Sequence, residues 1–437
     1  MIGVQTIGNA TLVAYDKLPI LSTDPWMGGD HSANFGSWRL PYDIPDNIRQ
    51  DILRSEYIWF SHGHQDHLNP DSLHLFKNNK ILISDHFGSR IYKDLKSENF
   101  KVTILEDRKW INLSKNISIM PISTKIQDTI LLLRVNNDAF INLNDAGPYS
   151  SRFIKKTTSK FRRKFLLSIC SYEADMLNFF DENNNFIKPP IADKFSAGKV
   201  LSIIANVVGA KFIIPFSTFH EYQREDSIWA NEYIYPVDKI SNDISKNHIY
   251  IKPFSYINCT KDDDFISLDL KKKQLEIKSP ELFGDNWKDE LNTFDKKIIE
   301  DYFNKFLSFH KKVGFISFIV GGKEFNLKFK GPKNKGISFE VPKNSLLNAC
   351  KYRVFDDLLV ANFMKTKLYN LQSLYEPNAN FTHEICKFGD NGMAYSQGDI
   401  DKYKKYYAKK MGMEYFFDLF SYTCRDYYVY FFKNYQK

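Results

Sequence analysis

The sequence lacks any stretch that approaches the roughly 18 consecutive apolar residues of a membrane-spanning helix. Its first residues, MIGVQTIGNATLVAYD, also lack the basic segment and following apolar stretch of a secretory signal peptide. Cysteine is scarce, with only five in the chain. These five lie far apart, and no two have CxxC spacing. This pattern favours neither a disulfide framework nor a cysteine zinc site. We therefore expect a soluble cytoplasmic protein without a membrane span.

Internal repeats and nucleic-acid-binding motifs are also missing, which argues against a DNA or RNA partner. The net charge is +8, from 60 Lys and Arg against 52 Asp and Glu, and the basic residues are spread along the chain. This excess fits either an anionic small-molecule substrate or a solvated lysine-rich surface. With 43% apolar and 26% charged residues in 437 positions, the chain is long enough for two globular domains. Oligomeric state leaves no signature in the sequence.

Short β-runs separated by turns dominate the first 260 or so residues. Turn residues between several runs favour hairpins. One helix is predicted where Asn69 can cap it and Pro70 can occupy its first turn, and another over 198–208. Sheets with helices outside them are therefore expected. The predicted strands are Val4–Ile7, Thr11–Tyr15, Ile20–Thr23, Tyr57–Ser61, 80–84, 101–105, 116–122, 129–135, 139–144 and 211–217.

A charged segment, DDDFISLDLKKKQLEIKSPE, begins just after Thr260 and marks a change in sequence character. We place a domain boundary there, between residues 1–260 and a smaller α+β domain of residues 261–437. In this second domain, apolar residues at helical spacing over 291–313 predict one helix. The segment GFISFIVGGKEFNLKFKG predicts a hairpin that turns at Gly321 and Gly322.

The residues best suited to chemistry lie in SHGHQDHLN (61–69), directly after an apolar strand. This segment places His62, His64, Asp66 and His67 within six positions, although the chain has only 10 histidines. Two histidines separated by one residue can bind one metal from an extended loop, and the Asp–His pair can turn to a second metal. The cluster predicts a metal site. The alternative is a set of surface histidines on a polar loop.

The spacing of these four residues resembles the HxHxDH motif of the metallo-β-lactamase superfamily, where the motif also follows a core strand. The resemblance implies an α/β fold for residues 1–260, a four-layer αββα sandwich. It further implies that Asp24 supports the ligand loop, that Asp145 bridges two metal ions, and that His220 is the last histidine ligand. The alternatives are turn residues for the two aspartates and a capping or hydrogen-bonded histidine at position 220.

One ligand of the superfamily is missing from its expected place. Between the motif and the bridging aspartate, the superfamily usually supplies a further histidine, just before the strand at 129–135. This chain reads PISTKIQD (121–128) there, with Thr124 in that place and Asp128 as the nearby carboxylate. The two histidines of the interval, His74 and His86, come earlier. The metal position beside the first two motif histidines is therefore expected to be the weaker one.

Within the superfamily, residues 1–260 are most similar to the metal domain of CMP-N-acetylneuraminate hydroxylases. The similarity runs through DPWMGG, FGSWRLP, the histidine motif, SICSYEA (168–174) and PFSTF. Those hydroxylases also carry a Rieske iron–sulfur domain with Cys-x-His and Cys-x-x-His ligands, and neither pairing occurs in this sequence. Electron delivery would therefore need a separate protein.

Three functions are compatible with the resemblance. In a hydrolase, one or two divalent ions, expected to be Zn²⁺, lower the pKa of a bound water, and the hydroxide attacks an ester, phosphodiester or amide. Asp66 would orient that water and accept its proton. In a non-haem di-iron oxygenase, the same residues hold iron and hydroxylate a sugar nucleotide or similar substrate. The third alternative is a degenerate, non-catalytic member of the fold.

Overall fold

Two mixed β-sheets form the N-terminal part of the computed structural model, which describes residues 1–169, 176–188, 196–376 and 379–420. The first sheet is parallel from Leu18–Thr23 to its edge at Val102–Leu105 and antiparallel elsewhere. Its eight strands, in spatial order, are Phe265–Ser267, Ser255–Asn258, Ile2–Ile7, Thr11–Asp16, Leu18–Thr23, Tyr57–Trp59, Lys80–Ser84 and Val102–Leu105.

The second sheet combines hairpins with parallel crossovers. The predicted hairpins join Ile117–Ser123, Thr129–Val135 and Asp138–Asn144. The later strands pair in parallel instead, because helices connect them across the outer face of the sheet. Its seven strands, in spatial order, are Ile249–Tyr250, Phe212–Pro215, Arg163–Ser168, Asp138–Asn144, Thr129–Val135, Ile117–Ser123 and Ile111–Asn112.

The inner faces of the two sheets share one apolar core, in which Trp59 and Leu12 of the first sheet meet Leu131 and Phe165 of the second. Two further clusters bury the outer faces beneath helices. Asp46–Arg54, Pro70–Leu73 and Arg90–Ser97 lie on the first sheet, and Ser151–Thr157 and Ala197–Val208 lie on the second. The predicted αββα order of layers is therefore confirmed.

A third sheet and its helices form most of the C-terminal part. The sheet has the order Phe179–Phe180, Lys365–Tyr369, Gly336–Glu340, Phe315–Val320 and Lys323–Lys328. The predicted hairpin is present, and Gly321 and Gly322 both have positive φ, as a two-residue hairpin turn requires. The helical elements are Thr293–Phe303, Lys343–Tyr352, Phe355–Val360, Thr382–Asn391 and Gln397–Met411.

The predicted single helix over 291–313 is wrong in extent. Asn292 and Asp295 form a reciprocal capping box at its start, and the helix ends at Phe303. A short 3₁₀ turn, Phe309–Lys311, follows and still buries Phe309. The apolar spacing therefore continued past the helix because the turn packs on the same core.

The two segments around residue 260 are continuous in space, because Ser255–Asn258 pairs with Phe265–Ser267 in the first sheet. The domain division at residue 260 stays a prediction. Residues 170–174 of SICSYEA lie outside the described part of the chain. None of the described helices is both long and apolar enough to cross a membrane.

Candidate metal centre

The histidine loop begins where the buried parallel strand Tyr57–Trp59 ends. A strand in the middle of a sheet fixes the position of the residues that follow it, so the loop starts from a rigid edge. The loop ends at Asn69, whose side chain accepts a hydrogen bond from the Ser72 backbone N–H at 2.9 Å, and Pro70 takes the first helical position. Both ends of the loop are therefore held by regular structure, as the sequence predicted.

Side chains of the loop converge on Asp145, which directly follows the strand Asp138–Asn144. His62 Nε2 lies 2.9 Å from His64 Nδ1 and 3.8 Å from Asp145 Oδ2. His67 Nε2 lies 3.4 Å from Asp66 Oδ2 and 3.4 Å from Asp145 Oδ2. Two groups of donor atoms result, and Asp145 belongs to both.

Two of the histidines are anchored through the ring nitrogen that faces away from Asp145. His67 Nδ1 lies 3.2 Å from Asp24 Oδ2, while Asp24 Oδ1 accepts the Ser61 backbone N–H at 2.8 Å. His62 Nδ1 lies 2.9 Å from the Ser61 hydroxyl. Asp24 therefore holds the loop as the resemblance implied, while the ligand roles of the loop residues stay predictions. A carboxylate behind a ligating histidine fixes its tautomer and ring orientation.

The carboxylates at the centre are also held in place. Asn9 Nδ2 donates to Asp66 Oδ2 at 2.8 Å, and the Ser217 hydroxyl donates to Asp145 Oδ1. Burial raises the pKa of Asp66. Burial would do the same to Asp145, but the neighbouring His67 outweighs it and lowers the pKa of that carboxyl.

His220 lies beside this centre but outside both donor groups. Its ring stacks on Trp38 with centroids 3.6 Å apart, and its Nε2 is buried with no hydrogen-bond partner among the described residues. Burial lowers the pKa of His220 to about 3, against an opposing effect of the Asp145 charge. Its role as a ligand stays a prediction, and the neutral, unpartnered nitrogen suits a metal bond.

The place of the missing histidine is taken by a short turn. The Thr124 hydroxyl and backbone N–H both donate to the Asp128 carbonyl at 2.9 Å, so Thr124 closes the turn. Asp128 is buried, which raises its pKa, and its carboxyl is close enough to feel the charges of His64 and Asp145. His86 is excluded as a substitute, because Thr129 and Tyr407 occupy its two ring nitrogens at 2.8 Å each.

Sequence reasoning missed a set of polar residues that the C-terminal part brings to the loop. Asp356 Oδ2 lies 3.0 Å from His64 Nε2, and Lys387 Nζ donates to the same oxygen at 2.9 Å. Asp357 Oδ1 accepts the Gln65 backbone N–H at 3.2 Å. No local motif marks these residues, since Asp356 and Asp357 each lie 292 positions after their partners in the loop and Lys387 lies later still.

The pKa values of Asp356 and Asp357 shift in opposite directions. Burial would raise the pKa of Asp356, but Lys387 and the hydrogen bond from His64 hold it well below its usual range. Burial raises the pKa of Asp357 to about 7. For His64, the hydrogen bond and charge of Asp356 outweigh burial and raise the pKa to about 9.

The donor set fits a divalent metal ion. Imidazole nitrogens and carboxylate oxygens are ligands that both zinc and iron accept. The orphaned Nε2 of His220 offers one further donor at the edge of the centre. The residues that could hold metal are His62, His64, Asp66, His67, Asp145 and His220.

Comparison with known proteins found no matching family model. A Mycolicibacterium smegmatis protein named for a Rieske 2Fe-2S iron–sulfur centre is 25% identical over 160 residues. That match covers 33% of this chain and 30% of the relative, so the chain spans under a third of that protein.

Several solved structures are similar in part. Igni18, a metallo hydrolase of Ignicoccus hospitalis, matches 59% of this chain and 97% of its own, with 13% identity and a TM-score of 0.38. The isothiocyanate hydrolase from Delia radicum gut bacteria matches 59% of this chain and 99% of its own, with 13% identity and a TM-score of 0.38. CmlA, a diiron β-hydroxylase of Streptomyces venezuelae, matches 58% of this chain and 52% of its own, with 11% identity and a TM-score of 0.37.

The fold itself can be identified from the chain's own layers and from the order of its site segments. Asp24, the histidine loop, Asp145 and His220 each follow a strand of the two facing sheets, in the order that the sequence resemblance predicted. The two sheets and their outer helices form a metallo-β-lactamase fold.

Proposed function

We propose that the protein is a metal-dependent hydrolase with a two-metal centre. The observation that carries the proposal is the convergence of two donor groups on Asp145, each with one or two histidine nitrogens turned toward it. A shared carboxylate between two such groups is the arrangement that bridges a metal pair. The substrate is a small molecule with an ester, phosphodiester or amide bond.

A bound divalent ion would supply Lewis acidity and a lowered pKa for water at this centre. The chain contributes positioning. Asn9 holds Asp66 Oδ2 at 2.8 Å, so this carboxylate is oriented to accept a proton from the attacking water. The side chains of Asp145 and His64 are 22% and 19% exposed, whereas His67 is 0% exposed, so Asp145 and His64 are the more accessible of these donors.

Metal analysis combined with a substrate panel tests this proposal. Protein purified without added metal should contain up to two equivalents of zinc. It should cleave at least one of an ester, a phosphodiester and an amide reporter. Chelation should abolish that cleavage, and zinc should restore it. Failure to bind zinc in stoichiometric amounts, even after reconstitution, would instead support the non-catalytic alternative.

A di-iron oxygenase is the second candidate, and Asp128 favours it. This carboxyl stands in the loop where the superfamily usually supplies a histidine, and burial raises its pKa while the nearby charges of Lys387 and His64 lower it. Replacing an imidazole by a carboxylate makes the donor set harder and richer in oxygen, which suits iron better than it suits zinc. Iron with a visible absorption band in the purified protein would favour this candidate.

The Asp128→His variant separates the two candidates. With an imidazole in this loop, the centre should prefer zinc by about tenfold more than the natural protein does. The measurement is the zinc-to-iron ratio after anaerobic reconstitution with equal amounts of both metals. Gln127→His is the control, because the Gln127 side chain donates to the Phe87 carbonyl instead. An unchanged ratio in Asp128→His would remove Asp128 from the centre.

A further inference from the structure

Each motif histidine has one nitrogen in the donor groups and one nitrogen held by a neighbour. Ser61 holds His62, and Asp24 holds His67. Both of these partners come from the N-terminal sheet region. The corresponding partner of His64 is Asp356, which comes from the C-terminal part.

The geometry at His64 separates its two nitrogens by function. Nδ1 lies 2.9 Å from His62 Nε2, on the side of the donor groups. Nε2 points to the opposite side and lies 3.0 Å from Asp356 Oδ2. A carboxylate in this place selects the tautomer with hydrogen on Nε2 and leaves the Nδ1 lone pair free to bind metal.

Asp356 is itself held in a charged and buried arrangement. Its side chain is 8% exposed, and Lys387 donates to its Oδ2 at 2.9 Å. A buried carboxylate needs such a partner to stay ionised. Lys387 therefore keeps Asp356 available as an anionic acceptor for His64.

The backbone around Asp356 is fixed from both sides. At the start of the helix Phe355–Val360, the Phe355 N–H donates to Asp390 Oδ2 at 3.3 Å, and Tyr302 donates to the same oxygen at 2.7 Å. The next residue, Asp357, accepts the N–H of Gln65 within the histidine loop. The helix start is thus tied both to the C-terminal core and to the loop.

We propose that, within the metal centre proposed above, Asp356 is the positioning residue of His64 and Lys387 is its counter-ion. The C-terminal part then completes the weaker metal position, the one that lacks the superfamily's further histidine. Metal retention at the His62/His64 group should therefore depend on Asp356, which lies 292 positions after His64, and on Lys387.

Titration of the metal-free protein with Co²⁺ alone tests this assignment, because cobalt gives a visible absorption band that reports its ligand geometry. Asp356→Ala should weaken one cobalt-binding event by about 10- to 100-fold and alter its spectrum. The affected event should be the one that His62→Ala removes. Asp356→Asn keeps an oxygen that can accept from His64 but loses the charge, so it should fall between Asp356→Ala and the natural protein.

Glu384→Gln is the matched control. Glu384 is another buried carboxylate of the segment Thr382–Asn391, but it binds Lys312 and Ser308, away from the loop. This variant should keep both cobalt-binding events. Equal weakening in Glu384→Gln, or natural affinity and spectrum in both Asp356 variants, would overturn the proposal.

Thermal unfolding of each variant separates a local effect from loss of the fold, and the nearly isosteric Asp356→Asn carries the test if Asp356→Ala does not fold. Absence of cobalt binding in the natural protein would contradict the proposed function. Cobalt binding that no Asp356 variant changes would contradict this inference alone.

Discussion

His62→Ala should lower the bound metal by one equivalent and abolish hydrolysis. His62 Nε2 lies 2.9 Å from His64 Nδ1, and removal of its imidazole leaves that group with two donors. The expected loss of affinity exceeds the roughly 10- to 100-fold that is typical for a residue that only orients a ligand. Elemental analysis after dialysis measures the loss, and the reporter that the natural protein cleaves measures activity.

His74→Ala is the control for this experiment. His74 follows the helix Pro70–Leu73, just beyond the histidine loop, and its side chain is exposed to solvent. Its replacement should leave metal content and activity unchanged. Full metal content in His62→Ala, or an equal loss in His74→Ala, would refute the assignment of His62 as a ligand.

The histidine centre could be predicted from the sequence because its members obey local rules. The loop from His62 to His67 directly follows an apolar strand, and Asp24 and Asp145 each stand at the end of another. Residues that follow neighbouring strands meet at one edge of a sheet, so their order along the chain was informative. Asn69 and Pro70 likewise marked the helix start correctly.

The C-terminal contribution could not be predicted in the same way. Asp356 and Lys387 carry no motif, and their closeness to His64 depends on how the third sheet and its helices pack against the loop. The same limit applies to His220, whose stacking on Trp38 brings together two segments that are distant in sequence. All the ligands that the resemblance implies lie within residues 1–260, whereas the structure also places Asp356 beside His64.

Asp128 shows a second kind of limit. The missing histidine was evident from the sequence, but the roles of the residues that stand in its place depend on the turn geometry of residues 124–128. Thr124 uses its hydroxyl to close that turn, so Thr124 has a structural role, whereas Asp128 keeps a buried carboxyl with a raised pKa. This division requires a backbone hydrogen bond that residue spacing alone does not specify.

Asp145→Ala should have the widest effect on the centre, because Asp145 belongs to both donor groups. Its Oδ2 lies 3.8 Å from His62 Nε2 and 3.4 Å from His67 Nε2, so its removal leaves two histidine groups without a shared anion between them. We expect both metal affinities to fall by at least about tenfold, with activity lost at every metal concentration that the protein tolerates. Elemental analysis and cobalt titration both measure this result.

Asp138→Asn provides the comparison that makes the Asp145 result specific. Asp138 begins the strand Asp138–Asn144 and pairs with Arg163 at 2.6 Å, at the opposite end of that strand from Asp145. Replacing Asp138, the buried partner of Arg163, should lower the free energy of unfolding by about 3 kcal/mol. The folded fraction should nevertheless keep both metals. If Asp145→Ala loses only one metal while the other keeps its natural affinity, Asp145 is a ligand of a single ion and the bridge is refuted.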